Sequence, residues 1–231
     1  MSVENIVNSR LMDYIEQSGF LPYQKQDFLY RNLASDEPYS LLNQSLLNVY
    51  SQENGLNNNM YFCSWSQLRE HGGRITPNTK GALTTYYKDF TPGKFGLMYY
   101  WSFALCNTDI WRDFSAMQDE RLAQCSEEIA KEIIDAGYKK MGVSVPDKPP
   151  SISMEDYYQQ SIIALAELAE PKKGTGLVSE LVSAYLLAKC GYRLEKTKID
   201  PANLAKEMGA NSYLYVRSAE QAAKRVKNIL N

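Results

Sequence analysis

The sequence predicts an α+β protein, with a small antiparallel sheet and helices in its N-terminal half and a mostly helical C-terminal half. Two observations predict it. Apolar residues recur every three or four positions near both ends of the chain, whereas between Arg74 and Asn107 that period gives way to alternation rich in aromatic and β-branched residues. With 231 residues and 44% apolar content, the chain has ample material for a buried core. The texture changes near residue 115, so residues 1–115 and 116–231 read as two domains.

Ile6, Val7, Leu11, Met12 and Ile15 predict an amphipathic helix over residues 4–18, stopped by Gly19. Leu41, Leu42, Leu46, Leu47 and Val49 predict a second from Ser40 to Val49, before the loop from Asn54 to Asn59. Met60 to Cys63 reads as a short strand. Ser64 then caps a helix from Trp65 to Glu70, which ends at Gly72-Gly73. Leu83 to Tyr87 and Leu97 to Leu105 read as antiparallel strands separated by Thr91-Pro92-Gly93-Lys94. Strand alternation sends Tyr86 and Tyr87 to opposite faces, one toward the core and one toward solvent.

In the second half, Arg121 to Ala136 reads as a helix ended by Gly137, and Val143 to Ser153 as a Pro-rich connector. Helices follow from Met154 to Ala169, Leu177 to Cys190 and Ser212 to Leu230. Lys224, Arg225 and Lys227 close the last one, where cations suit the helix dipole. Gly174-Thr175-Gly176 lacks the preceding strand and following lysine of a phosphate loop and reads as a hinge.

Composition narrows the function. No apolar run is long enough to span a bilayer, and Met1-Ser2-Val3-Glu4 lacks the start of a signal peptide, so a cytoplasmic protein without membrane contact is expected. Cys63, Cys106, Cys125 and Cys190 form no CxxC pair and read as small buried thiols. His71 is the sole histidine, so a His-ligated metal site within one chain is excluded. Its place beside Gly72-Gly73 suits a helix C-terminus. The net charge of -2 is uneven: residues 1–60 and 118–170 are acidic, 61–117 and 171–231 basic. Two basic segments meeting in space would offer a polyanion a positive face.

Single-strand binding needs cations along a backbone path and aromatic faces on which bases stack. The basic middle segment supplies both: Arg69, Arg74, Lys80, Lys88 and Lys94 lie among Tyr61, Trp65, Tyr86, Tyr87, Tyr99, Tyr100 and Trp101. Lys80, before Gly81 in a tight turn, is a phosphate-contact candidate. Trp65 is open to two readings, core anchor or stacking platform.

These motifs occur in a family order. Asn43-x-x-Leu46-Leu47, then Trp65-x-Gln67 through Gly73 to Lys80-Gly81, then Phe103-x-x-x-Asn107 resemble the N-terminal single-stranded-DNA-binding domain of ArdC-type antirestriction proteins. Tyr157-Tyr158, Leu177 to Leu181 and the stretch from Ser212-Tyr213 to Ala222-Ala223-x-x-Val226 resemble that family's zincin-like metallopeptidase domain. The zinc helix of the family reads His-Glu-x-x-His, and Ile163, Ala164 and Glu167 stand at those three positions. Glu180 matches a glutamate of the following helix, and Ala82 replaces the glutamate of a Lys-Gly-Glu turn.

The resemblance implies a phage or mobile-element protein acting in a bacterial host, with single-stranded DNA as partner, no catalytic residue, no metal and no cofactor. Its degenerate helix implies Ile163 and Ala164 packed on a neighbour instead of lining a wet cleft. Two rivals stand beside it: an interaction module that docks a host defence protein, and a hydrolase using Glu167 and Glu180 with a metal.

Overall fold

In the computed structural model, residues 2–56, 58–91, 94–123, 127–169 and 176–231 are described. Helix α1 (Val3–Ser18) starts where the Ser2 hydroxyl accepts from the Asn5 amide at 3.3 Å, and ends at Gly19 with φ 68°. After strand β1 (Arg31–Asn32) comes α2 (Leu41–Glu53), capped by Ser40, then β2 (Tyr61–Ser64) and α3 (Trp65–Glu70). Strands β3 (Ala82–Thr91) and β4 (Lys94–Ala104) form the expected antiparallel hairpin. The sheet order is β1-β2-β4-β3, with only β1 and β2 parallel. Mixed α and β content matches the fold class read from the sequence.

The second half contains α4 (Ser115–Ala123), α5 (Glu127–Met141), α6 (Met154–Leu168), α7 (Leu177–Lys189), α8 (Pro201–Ala210) and α9 (Leu214–Leu230). Pro92, Gly93, Cys125, Gly174, Thr175 and Asn57 of the expected turns, hinge and thiols lie outside the described residues.

Three corrections have physical causes. Gly137 does not end its helix, which runs on to Gly142 with φ 66°. A Cβ at Gly137 would stand 2.3 Å from the Leu165 Cδ2, so this glycine lets α5 and α6 approach each other. Helix α8 was not anticipated, although the Asp200 carboxylate accepts from the Asn203 amide at 2.9 Å and Pro201 follows at the first helical position. Cys106 is exposed, while Cys63 and Cys190 are buried as expected.

The largest core cluster draws on both halves. Leu11, Leu42, Leu83 and Leu97 share it with Ile162, Leu165, Leu181 and Val226. A second cluster, with Phe28, Tyr30, Leu47 and Phe62, packs around β1 and β2. Fully burying one such side chain contributes about 1.5 to 3 kcal/mol. The hairpin is buried at its root and, on β4, as far out as Leu97. From Tyr86 outward every described β3 residue is exposed, and Tyr86 and Tyr87 are 43% and 51% accessible. Tyr87 lies on the core-facing side beside its buried register partner Leu97, yet its ring stays half exposed with the hydroxyl donating to Glu220, so neither tyrosine is buried. Among the described residues no helix is long and apolar enough to cross a membrane.

Candidate nucleic-acid interface and the cavity between helices six and seven

Helix α3 is fixed at its start by a reciprocal capping box. The Gln67 amide donates to the Ser64 hydroxyl at 3.3 Å, and the Ser64 amide donates to the Gln67 side chain at 2.8 Å. The Gln67 side chain also donates to Asn32 at 3.1 Å, which ties the helix to β1. Thus held, α3 presents Trp65 at 55% exposure, with the Arg69 guanidinium 4.7 Å from the ring centroid. The i, i+4 spacing brings the cation over the ring, which settles Trp65 as a surface residue.

A second pair of the same kind lies in the 3-10 turn Trp111–Phe114, where the Arg112 guanidinium is 5.5 Å from the Trp111 centroid. His71 caps the end of α3, as read, and its ring meets Phe114 edge to face at 5.5 Å. A Cβ at Gly73 would meet Ile110 at 2.9 Å, so the turn packs tightly against the end of α3. The two arginine–tryptophan pairs therefore belong to adjoining elements. Trp111 and Arg112 were missed by sequence reasoning, although a Trp-Arg dipeptide beside a basic aromatic segment was the available signal.

The remaining cations are strung along the sheet. Arg74 is exposed, and its amide donates to Asp109 at 2.6 Å. Exposed Lys80 stands in the irregular segment that leads into β3 instead of the expected tight turn; its carbonyl accepts from the Tyr50 hydroxyl at 2.6 Å, and Gly81 rests against Trp101 at the hairpin root. Lys88 lies on the projecting part of β3, with its ammonium 5.8 Å from the Phe90 centroid. The Lys94 side chain lies outside the described residues. Tyr99 and Trp101 share one ribbon face with centroids 6.1 Å apart, and Tyr86 meets Tyr100 on the other at 5.8 Å.

A cavity of about 240 Å³ lies between α6 and α7, and Ile163, Glu167, Glu180 and Lys198 line it, three of the four positions that the family resemblance singles out among them. Ile163 is half-buried and packs on the core while still facing this space, so the expectation that it would line no cleft is corrected. The α6 turn that seals Ile162 inside leaves its neighbour at the margin. Ala164 is also half-buried.

Glu180, 7% exposed, accepts from the Tyr23 hydroxyl at 2.6 Å and from the backbone amides of Lys198 and Ile199, the latter at 3.1 Å. Burial raises its pKa above the ordinary glutamate value, against the lowering pull of these donors and of the Lys198 charge. Burial likewise pushes the Tyr23 hydroxyl well up, so it stays protonated as a donor. Glu167 pairs with the Lys198 ammonium. The structure thus brings the two expected carboxylates to one cavity and gives each a protein partner. Tyr23 and Lys198 left no trace in sequence spacing. Among the described residues no group of three or more His, Cys, Asp or Glu could hold a metal ion.

The sequence profile of the N-terminal domain of anti-restriction factor ArdC matches residues 3–95. Two crystal structures of the antirestriction ArdC protein from the R388 plasmid have a similar fold, each covering 99% of this chain and 97% of that one at 14% identity. The Mn(II)-bound form gives a TM-score of 0.72 and the metal-free form 0.74. No curated protein sequence matches the chain. Residues 3–95 therefore belong to the ArdC N-terminal domain family, and the chain as a whole has the fold of the antirestriction protein ArdC.

Proposed function

We propose that this protein is a non-enzymatic, ArdC-like antirestriction or anti-defence protein of a phage or mobile element, which binds single-stranded DNA in the cytoplasm of a bacterial host. In this reading residues 1–115 carry the DNA surface and residues 116–231 a zincin-like domain without hydrolytic chemistry. The observation that carries it is the stacked, exposed Arg69–Trp65 pair, with Arg112–Trp111 on the adjoining turn. A base stacked on such a ring contributes about 1 to 3 kcal/mol, and the adjacent guanidinium meets the phosphate.

The manganese of the R388 protein does not carry over. Ile163 and Ala164 offer no ligand, Glu180 already accepts from three protein donors, and the Lys198 ammonium pairs with Glu167. We derive no hydrolytic step from such a set.

A salt titration tests the DNA reading. Affinity for a single strand should exceed that for the matching duplex and fall as salt rises. Charge reversal at Arg69, Arg74 and Lys80 should weaken binding to every sequence alike. A folded protein that binds no single strand at low salt would overturn this function. It would favour the second reading, docking of a host defence protein, for which the exposed Phe90 and Phe95 near the hairpin tip offer an apolar contact.

A further inference from the structure

A cavity of about 350 Å³ lies between α1 and the hairpin root, beside the aromatic face of β4 described above. One face of α1 lines it: Ile6, Ser9, Arg10 and Asp13 follow i, i+3, i+4, i+7 spacing and so point the same way. Tyr99 and Trp101, 43% and 53% exposed, form the opposite wall. Gly81 completes the floor where a Cβ would stand 2.9 Å from Trp101. The size suits a small planar ligand.

The charges decide which ligand. Arg10 is engaged by Glu53, with one bond at 2.9 Å, so its positive charge is matched. Asp13 is exposed, and among the described residues it has no ion-pair partner. The cavity therefore carries excess negative charge, which repels phosphate and accepts hydrogen bonds. A carboxylate beside aromatic rings fits a heteroaromatic edge with two adjacent N–H donors. Among the DNA bases only guanine presents that edge, through its N1–H and its 2-amino group, and only in a single strand is the edge free of its pairing partner.

We propose that this cavity is a base-reading subsite for an unpaired guanine, stacked against Trp101 and hydrogen-bonded by Asp13. This rests on the single-strand reading above and adds one sequence-sensitive position to an otherwise sequence-tolerant surface. Lys80, the neighbour of Gly81 at the cavity floor, gives the backbone of such a strand an exposed cation to follow while one base turns inward.

The test compares three oligonucleotides at one low salt concentration: an all-thymidine strand, the same strand with one central guanine, and the same strand with hypoxanthine there. The guanine strand should bind about fivefold to a hundredfold more tightly than the thymidine strand, the range of a bidentate base contact. Hypoxanthine, which lacks the 2-amino donors, should lose most of that gain. In Asp13→Ala the guanine-to-thymidine ratio should fall to one. Equal affinity for the first two strands overturns the subsite, as does a guanine preference that survives Asp13→Ala. If the thymidine strand binds and guanine adds nothing, the subsite alone fails. If no strand binds, the single-strand reading fails and the subsite fails with it.

Discussion

The surface of α3 and its neighbouring turn differs from the α6–α7 cavity in where its charged groups find partners. On α3, Arg69 lies over a tryptophan that still offers most of its area to solvent. Between α6 and α7, Glu180 receives a tyrosine hydroxyl and two backbone amides, and Glu167 receives an ammonium. An exposed ring gains free energy when a ligand covers it, whereas a buried carboxylate that already accepts from protein donors must exchange those bonds before it can ligate a cation. The comparison separates a surface available to a partner from a pair of carboxylates whose partners lie within the fold.

The strongest way to break this contrast is to truncate the buried side of α6. Ile162 is fully buried, and Ile162→Ala should cost about 2 to 5 kcal/mol, read as a lower urea midpoint with an unchanged slope. A loss below about 1 kcal/mol would mean that α6 is loosely packed and the cavity open to remodelling.

Tyr23→Phe should cost about 1 to 3 kcal/mol by depriving the buried Glu180 of a donor. A neutral result would place a water where the hydroxyl stands and reopen the question of ligand access.

Glu180→Gln sharpens the point through pH. The folded state holds the Glu180 proton more tightly than the unfolded chain does, since burial raises its pKa above 4.5. The stability this group contributes is therefore complete below that ordinary value and declines as pH rises through the folded value. The stability of Glu180→Gln relative to the parent should accordingly increase from acidic to neutral pH, measured by urea unfolding across that range. A relative stability that falls with rising pH would show that the donors, and not burial, dominate the site.

The smallest stability effect belongs to the exposed side. Trp65→Ala should change stability by about 0.5 kcal/mol or less while removing about 1 to 3 kcal/mol of single-strand affinity. A large loss of stability would return Trp65 to the core reading.

Much of the local architecture was legible in the sequence because its causes lie within a few residues. Ser40, Ser64 and Ser153 each cap the helix that follows through a bond to an amide three residues on. The alternation around Leu83 and Trp101 marked the hairpin, and these two are direct register partners. The basic and aromatic character of residues 61–117 marked the candidate surface in the same way. Alternation could not say how far the sheet's core extends, so the paired exposure of Tyr86 and Tyr87 escaped it.

The sequence by itself determined the helix starts, the strand pair, the single histidine of the chain and the positions of the cations, since each depends on residue type and near neighbours. Only the tertiary structure decided what those residues meet. Tyr23 reaches Glu180 across 157 positions, Lys198 reaches Glu167 across 31, and Gly137 serves the approach of α5 to α6 instead of ending a helix. Trp111 joins the end of α3 only through the packing of Ile110 and Phe114. Such contacts form where separate elements are pressed together by burial of a shared core, and hydrophobic burial is non-directional: it specifies that faces meet, while the shapes of the assembled elements fix which side chains face each other.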